Sequence, residues 1–187
     1  YYPFIQNIIN SFQHIKYMGT AADKWNAPFY KNYLEIFKDP KMLIALKNTG
    51  IMIIATIVGE VGLAIVLSLL VSNIKKGAGF FRVVYFFPIV ISATALGLLF
   101  NLVFLYDKGM INQLLQFIGV LDAGKNELID WKATYPMFTM LVPVIWQYVG
   151  FYFIILLTGL SGIPEDLYEA AEIDGASKLQ QVRYVTL

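Results

Sequence analysis

The sequence predicts an all-α, polytopic membrane protein, and three observations lead there. Of its 187 residues 58% are hydrophobic and only 14% charged, whereas soluble domains carry about a quarter charged residues. Mean hydropathy is +0.61, an excess of apolar side chains that calls for an apolar solvent. Three stretches are long and apolar enough to cross a bilayer, which takes about 20 residues of helix.

Taken in order, residues 1–12 are apolar but short and read as the end of a truncated first transmembrane helix. Residues 13–43 hold scattered lysines, Gly19, Pro28 and Pro40, and read as an extramembrane connector. The first complete span lies between Lys47 and Lys75, about 48–73, with Glu60 its one charge. Residues 73–82 form a short basic turn with Lys75, Lys76 and Arg82. The second span is expected over 83–106, without a charge. Residues 107–132 are a polar connector in which Ile111, Leu114, Leu115 and Ile118 recur at helical spacing, as in a helix lying along the interface. The third span is expected over about 136–160, inside an uncharged stretch from Ala133 to Pro164. That stretch exceeds what a bilayer needs, and Pro136, Pro143, Gly150 and Gly159 give it places to bend. The chain opens on Tyr1-Tyr2-Pro3 with no signal-peptide pattern and stops at Leu187, so both ends are expected to be cuts in a longer protein.

Composition excludes several functions. There is no cysteine and a single histidine, His14, so thiolate and multi-histidine metal sites are out. A net charge of +1 gives no sign of a nucleic-acid partner. No Gly-rich phosphate loop is present. Charge leaves the orientation open: Lys75, Lys76, Arg82, Lys178 and Arg183 fall on one side and the other nine basic residues opposite, yet 73–82 is the densest short basic loop, and short loops count most.

The segment after the third span carries the clearest pattern. Pro164 suits the first turn of a helix, and Glu165 and Asp166 oppose its positive end. Leu167, Ala170 and Ala171 share a face, with Glu169 and Glu172 beside it. Asp174-Gly175 stops this helix, glycine suiting a left-handed cap, and a second helix follows through Leu179, Val182 and Val185. Physically this is an amphipathic helix–turn–helix at a membrane exit, and spacing alone does not separate a solvated hairpin from a docking element.

Glu169-Ala170-Ala171, with Asp174-Gly175-Ala176 and Gln180 following, resembles the EAA loop of ABC importer permeases in its carbohydrate-importer, maltose-permease-like form. Arg82-Val83-Val84-Tyr85-Phe86-Phe87-Pro88, Trp146, Gly159-Leu160 and Ile163-Pro164 are similar to the family's patterns in the same order. The resemblance implies the type I (MetI-like) transmembrane fold, here without its C-terminal spans. It also implies a prokaryotic cell membrane, with the connector 13–43 extracytoplasmic and residues 161–187 on the cytoplasmic side, and a coupling helix seated on a separate ATPase. It gives Glu169 a basic contact on that ATPase and Ala170, Ala171, Asp174, Gly175 and Ala176 the packing and turn positions. The implied partners are two ATPase subunits, which bind ATP and magnesium, a second permease subunit and an extracytoplasmic binding protein. This chain itself is expected to hold no cofactor or metal and to catalyse nothing.

Within the membrane, Glu60 is either a path-lining carboxylate for sugar hydroxyls or a neutral acid held by a neighbouring helix. Trp146, Gln147, Phe151 and Tyr152 could offer aromatic faces, an amide and a hydroxyl to a sugar; the alternative is an aromatic helix packed on its neighbours. Ser92, Thr94 and Asn101 read as helix–helix hydrogen bonds. The function expected is import of a sugar or oligosaccharide. Glycerol phosphate is the alternative cargo within the superfamily. Outside it stand an ion-coupled transporter dependent on Glu60 and an intramembrane enzyme, for which the spans offer no nucleophile–base set.

Overall fold

The computed structural model describes residues 1–17, 19–72, 74, 77–122 and 127–186, in two compact units, Tyr1–Ile51 and Met52–Leu187. Lys75, Lys76 and Leu187 lie outside the described residues.

In the first unit, Pro3 enters the first turn of α1 (Tyr2–Ser11), where a missing N–H is harmless. A two-stranded antiparallel hairpin follows, β1 (Gln13–His14) and β2 (Lys24–Trp25). Then comes α2 (Lys31–Lys38). The Asn32 amide donates to the Ser11 and Gln13 carbonyls at 2.9 and 3.0 Å, and the Phe12 ring meets those of Phe29 and Tyr33 at a tilt, 5.9 and 5.7 Å away. The connector read in the sequence therefore has a polar clasp and an aromatic nucleus of its own.

Helical backbone runs unbroken from Pro40 to Ser72, with hydropathy 2.4 in its most apolar window: α3 (Pro40–Thr56), a π-helical segment Ile57–Val61, and α4 (Gly62–Ser72). The stretch 83–106, expected as one straight span, is instead a broken one. Gly77 (φ +96°) opens α5 (Ala78–Phe86), a 3-10 turn covers Phe87–Val90, Ile91 is extended, and Ser92 caps α6 (Ala93–Val103) by accepting from the Ala95 N–H. The two halves meet at 99°. Pro88 removes a donor from the ladder at the turn, and the hydroxyl of Ser92 supplies the start of the next helix. Ser92, read as a helix–helix bond, is thus a cap.

Beyond α6 come α7 (Met110–Phe117) and the short α8 (Trp131–Thr134). The Asp130 side chain caps α8. The overlong third stretch is divided at Tyr135, whose φ of −130° ends α8 before Pro136 opens α9 (Pro136–Ser161). Pro143 is accommodated inside α9 without ending it.

The core lies where α4 and α5 pack on α9. Ala64, Val71, Val149, Phe153 and Leu157 are buried together, and the Tyr85 ring meets Phe153 edge-on at 5.3 Å. Lipid tails are as apolar as these side chains, so close packing rather than water exclusion must hold such helices together. Small residues make that approach achievable. A Cβ on Gly150 would collide with the Tyr85 carbonyl, and one on Gly59 would sit 2.6 Å from Ile145 Cδ1.

Candidate functional site

The hairpin after α9 is built from α10 (Glu165–Ile173), a turn at Gly175, α11 (Lys178–Gln181) and a π-helical turn Val182–Thr186. Pro164 precedes α10, and Glu165 and Asp166 stand in its first turn, where the unpaired N–H groups favour negative charge. The helix ends on Asp174, and Gly175 takes φ +78°. The Ala176 N–H then returns to the Ala171 carbonyl at 2.9 Å, closing the turn.

The second half is braced by side chains. Ser177 and Gln180 form a reciprocal capping box, the Ser177 N–H donating to Gln180 Oε1 at 2.7 Å. This gives Gln180 a physical role at the position where the sequence pattern places it. Gln181 is 4% exposed and its amide reaches the Ala176 carbonyl. The Tyr168 hydroxyl pairs with Thr186 Oγ1 at 3.0 Å, joining the two arms across 18 positions. Lys178 donates to Glu172. That hydrogen bond, then the charge of Lys178 and a bond from Gln181, hold the Glu172 carboxyl below its ordinary value. The side chains of the pair are 83% and 56% exposed, so it orients the turn more than it stabilises it.

Other side chains of α10 stay free of such bonds. Glu169 has no ion pair or hydrogen bond among the described residues, and Leu167, Ala170 and Ile173 are exposed beside it, Ile173 at 86%. Ala171 and Tyr168 turn inward. The face expected from spacing is thus divided: Leu167 and Ala170 point out, while Ala171 packs against the chain. Between the hairpin and the ends of α4 and α9 lies a concavity of about 740 Å³, lined by Ser72, Ser161, Tyr168, Glu169 and Glu172 among others.

The sequence profile of the binding-protein-dependent transport system inner membrane component matches residues 61–187. The chain belongs to this family. As a member it is similar to the arabinooligosaccharides transport system permease protein AraP of Halalkalibacterium halodurans, 34% identical over all of this chain and 57% of AraP. It is also similar to the multiple sugar-binding transport system permease protein MsmF of Streptococcus mutans, 32% identical over 96% of this chain and 59% of MsmF. The fold matches the crystal structure of a bacterial ABC transporter that imports the acidic polysaccharide alginate, with a TM-score of 0.77 at 19% identity over all of this chain and 60% of that one. The chain thus spans a little over half the length of the curated relatives it matches. These relatives are transport permeases, and the inner-membrane-component family and the apolar helices place this protein in a membrane.

The membrane residues singled out by sequence do not form one cluster in this family member. Glu60 lies in the π-helical segment and is 8% exposed, at helical spacing from the buried Ala64, Ser68 and Val71 on the seam toward α9. No hydrogen bond reaches it among the described residues. Gln147 is committed: its amide donates to the Ile91 carbonyl at 2.9 Å, the group left without a ladder partner where the second span breaks. Trp146 stacks edge-on with Phe100 at 5.7 Å and stays 38% exposed. Phe151 meets Tyr152 at 5.5 Å; Phe151 is exposed, while Tyr152 packs on the core. Asn101 accepts from Lys132 at 2.7 Å, on the loop side rather than toward another span.

Sequence reasoning missed Tyr168, Thr186, Lys178 and Gln181. The Ser177-x-x-Gln180 box was readable from its spacing. The Tyr168–Thr186 bond had no signal, because hydroxyl pairs this far apart follow from how the turn folds back.

Proposed function

We propose that this chain is the core of the membrane-spanning permease subunit of an ATP-driven importer for a sugar or oligosaccharide. The observation that carries this reading is the hairpin itself. Side chains and backbone turns brace it internally at the exit of α9, while Glu169 and the small face at Ala170 stay open to a partner. Such a body can be pushed as a unit. In this reading the hairpin is cytoplasmic and Glu169 meets a basic residue on an ATPase. Ala170 allows close backbone approach, and Ala171, Asp174, Gly175 and Ala176 fix the turn. Two ATPase subunits hold ATP and magnesium; their closure moves the hairpin, and the spans shift between outward and inward populations. A second permease subunit completes the path and an extracytoplasmic binding protein delivers the cargo. The carbohydrate assignment draws on the names of the relatives and on the Asp174-Gly175-Ala176 form of the loop. Trp146 and Phe151 are exposed and free to line the path, while Glu60 would reach it only from its buried place on the seam toward α9.

The test is uptake of labelled sugars by the complete transporter, with ATP hydrolysis measured in the same vesicles. Glu169→Arg should abolish uptake while leaving the subunit in the membrane. Normal uptake by that variant, or uptake that persists when the ATPase is removed, would sink the reading.

A further inference from the structure

The helix α7 is amphipathic the wrong way round for a helix in water. Its buried residue is polar: Asn112 is 1% exposed, with Nδ2 donating to the Tyr106 and Ile129 carbonyls at 3.0 Å each and Oδ1 accepting from the Trp131 indole N–H at 2.9 Å. Its outer face is apolar: Met110, Leu114, Phe117 and Ile118 are 62, 57, 88 and 58% exposed, and Val120 just beyond is 63% exposed. Residues 109–121 carry no charge. Surfaces of that kind mark contact with lipid or protein.

The anchoring decides between them. Tyr106 lies just past α6, and Trp131 just before α9, so Asn112 ties α7 to the ends of two membrane helices at once. Phe104 meets both Trp131, at 6.4 Å, and Phe138 of α9, at 6.0 Å, which brings those ends together. Gly109 turns so tightly that a Cβ there would collide with the Leu105 carbonyl, keeping the start of α7 against the end of α6. Leu98 and Leu102 of α6 are exposed as well. A helix held at that level stands at the boundary of the hydrocarbon. A partner that comes and goes would leave Phe117 and Val120 in water between encounters, whereas the bilayer is always present.

We infer that α7 is an interfacial membrane anchor, its Met110–Leu114–Phe117 face seated in the headgroup–acyl boundary of the leaflet on the α6–α9 loop side. Such helices bury their apolar face about 5–10 Å into that boundary. Asn112 is the hub that orients it. The inference concerns the lipid and holds whatever solute the protein carries.

Nitroxide labels on single cysteines at Leu114, Phe117 and the exposed polar Gln113 test it. The complete transporter is reconstituted in nanodiscs of phosphatidylcholine and phosphatidylglycerol, and collision with oxygen is compared with collision with a water-soluble nickel chelate. The expected result is oxygen-dominated relaxation at 114 and 117 and nickel-dominated relaxation at 113. Nickel-dominated relaxation at all three sites overturns the proposal. So does shielding of 114 and 117 from both agents, which signals a protein neighbour, and so does shielding that arises only on addition of a binding protein.

Discussion

Two glycines show how differently the same residue can be required. At Gly175 a side chain would meet nothing within 4 Å, but the backbone holds φ +78°. Gly175→Ala should therefore cost only the left-handed penalty of about 1–2 kcal/mol, with the membrane domain still folded. At Gly150 the backbone is ordinary helix, and the added methyl would strike the Tyr85 carbonyl. Overpacking a rigid neighbour costs about 1–3 kcal/mol or more, so Gly150→Ala should lower the thermal unfolding midpoint in detergent further than Gly175→Ala does; equal midpoints would contradict the packing of α5 on α9. The Glu172–Lys178 pair makes a different prediction. With the folded carboxyl held below its ordinary value of 4.5, its contribution is complete above that value and disappears as pH falls through the lower, folded one. Amide-exchange protection of the turn should thus be flat from neutrality to about pH 5 and fall only below it. In Lys178→Ala the titration of Glu172 should return to the ordinary carboxylate range.

At the scale of elements, the broken second span is the feature that sequence reasoning did not foresee. An uncharged run from Val83 to Tyr106 satisfies every compositional test for one straight helix, and Pro88 alone would not forbid it, since proline is tolerated in membrane helices. What settles the matter is a bond to another element: Gln147, far along the chain, donates to the Ile91 carbonyl. Gln147→Leu keeps the side chain's bulk but leaves that carbonyl bare, at a cost of about 1–3 kcal/mol. The measurable consequence is a lower unfolding midpoint, with Gln147→Glu giving partial recovery only when the acid is protonated. The hairpin was more legible. Pro164, the acidic first turn, Asp174-Gly175 and Ser177-x-x-Gln180 are local signals, and local geometry follows them. Glu60 was legible as an anomaly, but which neighbour it faces depends on the register of α4 against α9. That register is set by Gly59 meeting Ile145 and by Ala64 and Val71 sharing a buried cluster with Val149, Phe153 and Leu157, contacts that no single stretch of sequence contains. The choice between the two readings of Gln147 was out of reach for the same reason: its partner sits 56 positions away.

For the molecule as a whole, the 99° bend fixes where the bilayer cannot be uniform. The eleven residues of α6 rise about 16 Å, roughly half the hydrocarbon thickness. With α6 standing along the membrane normal, the extended backbone at Ile91 and Ser92 would fall well inside the membrane. Peptide groups that leave the helix at such depth persist only where protein walls them in or water reaches them. Gln147 serves the Ile91 carbonyl, yet Ser92 is exposed on this chain. A thiol at position 92 of the complete transporter should accordingly react with a membrane-impermeant maleimide, at a rate that changes when nucleotide is bound, whereas one at the exposed Leu98, within the apolar length of α6, should stay inert. Complete inertness at position 92 in every nucleotide state would mean that a second subunit covers the bend. Seen this way, the kink is the place in the span where backbone that has left the helix must be met by a protein wall, by solvent or by a solute.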